Sequence, residues 1–179
     1  MTDVAHDAFG RLRQSLPETL QDSRMTYDLA PLIWETVTTR RAVLSIRPAA
    51  TFNSITNRSR IDPVTVSIYT DAAIYYEVIR GGTLGGSPSW ASAGSNSAVE
   101  KDVAGTTVTN GDVVAAGYIA TSGGAAKADA RVTLTDNGLL PLPLALDSAG
   151  ANPIVFSVVA TSVSGTANVA ASVQWTEIR

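Results

Sequence analysis

Apolar and polar residues alternate with a period of two along most of the chain from residue 32 onward. Val64, Val66 and Ile68 alternate with polar neighbours, which is typical of a strand with one buried face. The C-terminal segment 169–176 alternates in the same way and places Trp175 on the apolar side. The same reasoning predicts strands over further segments: 33–38, 42–47, 74–80, 113–119, 131–135 and 154–162.

Residues that favour turns separate the predicted strands. Examples are the pairs Asp62-Pro63, Asn110-Gly111 and Ser164-Gly165. About eight to ten short strands punctuated in this way predict an all-β chain, folded as an antiparallel β-sandwich that is jelly-roll-like. The stretches 81–96 and 139–152 are longer than hairpin loops, so we expect them to carry function or to cover a sheet edge.

Residues 1–31 lack the two-residue alternation. Pro17 and Pro31 break this segment, and no apolar period of 3.6 residues lasts long enough to predict a helix. We therefore divide the chain into an extended N-terminal arm over 1–31, which lies on another surface, and a β-sandwich domain over 32–179. The alternative is a frayed terminus that makes no lasting contact.

Charge is sparse in this sequence. Charged residues make up 16% of the 179 residues, below the ~25% of average domains. Such a surface has few groups that keep molecules apart, so the composition favours a subunit packed against copies of itself. A net charge of -3 gives no reason to expect nucleic acid as a partner. No membrane-spanning segment or secretory signal is visible, so we expect no membrane partner.

The sequence offers little for catalysis or metal binding. Cysteine is absent and His6 is the only histidine, so a zinc site or a Ser-His-Asp triad lacks its usual residues. Glu100, Asp102 and Asp112 are the acids that a glycan-cleaving enzyme would use, but spacing alone does not show two carboxyls facing across a cleft. We therefore expect a protein that is not an enzyme and holds no metal or cofactor.

Three tryptophans are candidates for recognition. Trp34 and Trp175 fall within alternating segments, so both are interpreted as core or interface aromatics. Trp90 lies in the Gly- and Ser-rich stretch 81–96. There it has two interpretations: a ligand or interface aromatic that stacks on a sugar or a partner, or a side chain that folds back over one end of the sandwich.

Both ends of the chain carry specific motifs. Residues 6–15 read HDAFGRLRQS, residues 17–23 read PETLQDS, and the last eight residues read SVQWTEIR. These motifs resemble those of a family of structural proteins of tailed-bacteriophage virions. The middle of the chain, which separates the N-terminal motifs from the C-terminal one, is less similar to that family. Gln21 and Thr176 depart from the family pattern, which has a phenylalanine and an acid at these places.

The resemblance implies a structural component of the virion: a tail, baseplate, fibre or capsid-decoration subunit, assembled in the host cytoplasm. Its partners would be other virion proteins and copies of itself, with a homotrimer expected by analogy. The alternative function is a carbohydrate- or host-receptor-binding module that recognises a host surface glycan through Trp90. The expected partner-binding residues lie in the arm: Phe9, Arg11, Leu12, Arg13, Leu20 and Asp22.

Overall fold

A computed structural model describes residues 23–25, 33–121, 127–134 and 143–178. These residues form strands and no helix. The strands, numbered in chain order, are β1 (Ser23–Met25), β2 (Glu35–Val37), β3 (Arg41–Pro48), β4 (Thr51–Phe52), β5 (Ile55–Thr56), β6 (Arg60–Thr70), β7 (Ile74–Arg80), β8 (Thr83–Gly85), β9 (Ala91–Ser92), β10 (Val99–Asp102), β11 (Thr107–Thr109), β12 (Asp112–Ile119), β13 (Ala128–Thr133), β14 (Phe156–Ser162) and β15 (Ala167–Ile178).

Two larger sheets are built from these strands. One has the order β1-β15-β6-β13, with β2 also pairing with β15, and the other has the order β12-β7-β14-β3-β10-β9. Every pairing between neighbouring strands is antiparallel. The chain passes from one sheet to the other between β2 and β3, between β6 and β7, and between β14 and β15. Short turns at these places therefore join the two layers.

A single main core lies between the two sheets. Val66 and Val173 come from the first sheet, while Val78, Phe156 and Val158 come from the second, and all are 2% exposed or less. Phe156 and Val158 are two residues apart in β14 because successive side chains of a strand point to opposite faces. The predicted all-β antiparallel sandwich is therefore confirmed.

A second, smaller core lies on a different face. Ala42, Ile79, Val108 and Val159 are buried together, and Leu84 packs against them. Leu84 and Val108 belong to β8 and β11, which pair only with each other in the described part of the chain. The predicted long loop over 81–96 thus contains β8 and β9, and its first part covers apolar residues that β3, β7 and β14 supply.

One predicted turn is wrong. Asp62-Pro63 lies inside β6, which runs without interruption from Arg60 to Thr70. Pro63 is opposite Trp175 of β15, where the register shifts between Gln174 and Trp175. A proline lacks the backbone N–H that a regular ladder needs, but it is tolerated at a bulge. The Asp62-Pro63 pair therefore marks an irregularity within a strand and not the end of a strand.

The predicted arm is described only over Ser23–Met25. This piece forms β1 and pairs with Trp175–Glu177 of the chain's own last strand. The remainder of 1–31 lies outside the described residues. The second long stretch is described from residue 143 onward, and there Leu144 pairs with Ile61 and is fully buried in the core.

Candidate functional site

The partner-binding residues predicted in the arm, together with His6, lie outside the described residues: Phe9, Arg11, Leu12, Arg13, Leu20 and Asp22. Their role stays a prediction. The described residues that belong to a motif are Ser23, which pairs with Glu177, and those at the C-terminus.

Glu177 and Trp175 of the C-terminal motif are linked to each other. The Trp175 Nε1–H donates to Glu177 Oε1 at 3.0 Å, as both side chains lie on one face of β15. The Ser97 hydroxyl donates to the same oxygen at 2.5 Å, and the Ala98 N–H donates to Oε2 at 3.1 Å. Glu177 is fully buried, so its carboxylate holds the connection between β9 and β10 against the end of β15. The sequence assigned no role to Glu177, although its two-residue spacing from Trp175 was visible.

Trp90 lies in an open groove of about 500 Å³. The guanidinium carbon of Arg47 is 4.1 Å from the ring centroid, within the range of a cation–π contact. Arg47 also forms an ion pair with Glu100 at 2.8 Å. The Trp90 ring is half-buried and has Arg47 against it, so it is held in place and is not a free loop side chain.

Asp102 fixes the segment that carries Trp90. Its buried carboxylate accepts a hydrogen bond from the Ser89 N–H and another from the Gly105 N–H at 2.7 Å. Hydrogen bonds from two backbone N–H groups offset the cost of burying the Asp102 carboxylate. Asp102 is therefore a structural anchor, and Glu100 is used in the ion pair with Arg47.

The structure does not bring the three candidate acids together at the groove. The described residues that line the groove do not include Glu100, Asp102 or Asp112. Asp112 begins β12 and is exposed, opposite Arg80. Of these acids, Glu100 forms an ion pair with Arg47, and Asp102 accepts hydrogen bonds from the backbone.

A second concave region lies at one end of the first sheet. This Trp34 cleft, of about 260 Å³, is lined by Trp34, Asp71, Lys127 and Asn168. The ring of Trp34 is 5.4 Å from the ring of Tyr69, at an interplanar angle of 52°. The Lys127 ammonium lies 5.5 Å from the Trp34 centroid and 5.7 Å from that of Tyr69. Sequence reasoning treated Trp34 as a core or interface aromatic, but 38% of it is exposed.

The base of the Trp34 cleft is a hydrogen-bonded pair. Asp71 accepts from the side-chain amide of Asn168 and from its backbone N–H, both at 2.7 Å. These hydrogen bonds hold the pKa of Asp71 below its usual value, and the nearby positive charge of Lys127 acts in the same direction. Asp71 therefore stays ionised to lower pH than an isolated aspartate.

Within the described ranges, no three His, Cys, Asp or Glu side chains are grouped so that they could hold a metal ion. In the same residues there is no helix with the length and apolar character needed to cross a membrane. No protein-family model, curated protein or solved structure matches the chain.

Proposed function

We propose that the chain is a structural subunit of a tailed-bacteriophage virion, in its tail, baseplate, fibre or capsid decoration. It assembles with copies of itself, as a homotrimer, and with other virion proteins. The motif resemblance of the two chain ends led to this proposal. Two features of the described residues support it: the strand order of the sandwich and an exposed sheet edge.

The order of the eight main strands supports a jelly roll. One sheet contains β2-β15-β6-β13 and the other contains β3-β14-β7-β12, all antiparallel. The four strands of each sheet are drawn alternately from the two halves of the chain, which is the interleaving that two Greek keys produce. Jelly rolls are typical of viral capsid and lectin domains. This order agrees with a virion subunit, although a fold alone does not define a function.

The observation that carries the proposal is the exposed edge formed by β12. Among the described strands, β12 pairs with β7 alone, so one side of its backbone has no strand beside it. Asp112 is its only charged residue, while Val113 and Tyr118 are 54% and 77% exposed. Monomeric proteins protect such edges with lysine, proline or a covering segment. An edge of this length with one charge, at its first residue, suits pairing with a neighbouring subunit.

The experiment places lysines on this edge. We expect the double variant Val113→Lys/Tyr118→Lys to remain folded, because both side chains are exposed, but to lose self-association, because charges repel a second strand. Light scattering coupled to gel filtration measures the mass relative to the 18.6 kDa chain. Mass spectrometry of purified phage particles then measures incorporation when each variant is supplied in the host.

Ile55→Lys is the matched control. Ile55 is 69% exposed on the β4–β5 hairpin, a two-stranded sheet that does not include β12, so this lysine should change neither mass nor incorporation. A wild-type chain that stays monomeric at every concentration and is absent from particles contradicts the proposal. Equal incorporation of the double variant and the wild type would exclude β12 as the contact.

The second candidate function is carbohydrate or host-receptor binding through the Trp90 groove. It is favoured by the position of a half-buried tryptophan on the wall of an open groove that Pro88 and Pro153 also line. Trp90→Ala should then abolish binding of phage particles to host cells without changing their protein content. Unchanged attachment of particles that carry this variant would exclude the groove as the receptor site.

A further inference from the structure

We propose that the Trp34 cleft is a binding site for an acidic saccharide, in which one carboxylate-bearing pyranose unit stacks on Trp34 and Tyr69 and pairs with Lys127. This inference rests on the geometry of the cleft and does not depend on the assembly role of β12. The site lies on a different sheet from β12 and from the Trp90 groove.

The aromatic part of the cleft has the shape that a sugar ring needs. Trp34 and Tyr69 are neither fully buried nor isolated: they contact each other at 5.4 Å and form an angled pair of rings. A pyranose presents a face of C–H groups, which packs against the electron-rich face of an indole or phenol. Because Trp34 is 38% exposed in a concave region lined by polar groups, its ring offers a face on which a ligand ring can stack.

Lys127 supplies the charge preference. Its ammonium lies near both rings, and in the described part of the chain it forms no ion pair within 4.0 Å. The nearest lining carboxylate, that of Asp71, already accepts two hydrogen bonds from Asn168. The ammonium lies against the rings and outside ion-pair distance of Asp71, so it can pair with the carboxylate of a ligand stacked beside it. The ionised Asp71 carboxylate repels the same ligand group and therefore limits the size of this preference.

Part of the cleft is built on paired strands. Tyr69 is in β6 and Asn168 is in β15, and these are neighbouring strands in the interior of the sheet order. Asn168 donates to Asp71, and its Oδ1 accepts from the Thr36 hydroxyl of β2 at 3.3 Å. A site built on paired strands loses little entropy when a ligand binds, which favours recognition of a single sugar unit.

The test uses the full chain and a matched pair of ligands. Trigalacturonate carries the carboxylates, while its methyl ester has the same rings without the charge. We expect calorimetric titration to show tighter binding of the acid than of the ester, by up to about fivefold, corresponding to one exposed ion pair. Raising the salt concentration should weaken binding of the acid and leave the ester unchanged.

Three variants separate the contributions. Trp34→Ala should weaken binding of both ligands by about tenfold or more, because stacking contributes to both. Lys127→Gln should make the acid bind no better than the ester. Trp90→Ala should leave both affinities unchanged, which distinguishes this site from the Trp90 groove.

Failure of the folded wild-type chain to bind either ligand at millimolar concentration excludes the site. Tighter binding of the ester than of the acid, or unchanged acid binding by Lys127→Gln, removes the charge preference. Should Trp34→Ala not fold, the result for Lys127→Gln still decides. None of these results bears on particle incorporation, so the assembly proposal stands or fails separately.

Discussion

At the scale of single residues, the buried carboxylate of Glu177 joins segments that are far apart in the sequence. Moving a charged group out of water is costly unless hydrogen bonds replace its hydration. Here the side chains of Trp175 and Ser97 and the backbone of Ala98 all donate to it. One acid therefore fixes the end of β15 to the residues that lead into β10.

Removing this carboxylate should destabilise the protein strongly. We expect Glu177→Ala to lower the free energy of unfolding by about 3 kcal/mol, because three buried donors lose their acceptor. Glu177→Gln should cost about half as much, since the amide oxygen still accepts while its NH₂ group replaces the second oxygen. Urea denaturation of both variants measures these losses.

Glu100→Ala is the control for this prediction. Glu100 is partly exposed and its ion pair with Arg47 faces solvent, so its removal should cost less than about 1 kcal/mol. A Glu177→Ala variant as stable as Glu100→Ala would show that the buried hydrogen bonds add no net stability.

Sequence reasoning at this scale was only partly sufficient. It recognised Trp90 and Trp175 as informative aromatics, but it could not assign partners to Glu177 or Asp102. Their hydrogen bonds reach residues such as Ser97 and Gly105, and these contacts exist only after the strands pair. An acid in an alternating segment has the same local pattern whether it is buried or solvated.

At the scale of elements, the small ladder of β8 and β11 covers part of the outer face of the second sheet. Leu84 and Val108 pack on Ile79 and Val159, and the Ala42 N–H donates to the Thr106 carbonyl at 3.0 Å. The approach of this layer depends on Gly86, whose φ is +78°. A Cβ atom on Gly86 would lie 2.0 Å from the Thr106 hydroxyl oxygen and 2.9 Å from the Thr106 nitrogen.

Gly86→Ala should therefore displace the β8–β11 layer. We expect it to lower the free energy of unfolding by more than about 2 kcal/mol, since strain at a positive φ adds to a direct collision with Thr106. Thermal unfolding followed by circular dichroism measures the loss.

Gly165→Ala is the matched control for the glycine prediction. Gly165 also has a positive φ, +67°, but nothing lies within 4 Å of the position that an alanine methyl group would take there. We expect Gly165→Ala to lower the free energy of unfolding by only about 1 kcal/mol, the cost of a positive φ for alanine. Equal losses for the two variants would show that close packing against Thr106 contributes nothing.

At the scale of the whole molecule, both sheets share one core. In the first sheet, β1 pairs with β15 on the side opposite β6. The predicted boundary at residue 31 lies beyond β1. Two deletions distinguish the parts of the segment: removal of residues 2–22 keeps Ser23–Met25, and removal of residues 2–31 eliminates it.

The longer deletion should unfold at a lower temperature than the shorter one. Loss of β1 removes backbone hydrogen bonds to β15 beside Trp175 and Glu177, each contributing about 1 kcal/mol. For a chain of this size, a loss of that order corresponds to several degrees in the unfolding midpoint. Differential scanning calorimetry measures both midpoints. Identical midpoints would mean that β1 does not stabilise the sandwich.

The two-residue alternation by itself determined that this chain forms strands and buries one face of each, because side-chain direction along a strand is a local property. It therefore predicted the all-β sandwich and most of its longer strands. Only the tertiary structure decided which strands are neighbours, that Asp62-Pro63 lies within β6 beside a bulge, and that Trp34 meets Tyr69 and Lys127. Those features depend on pairing between residues distant in sequence, and the free energy of such pairing comes from contacts that no local pattern contains.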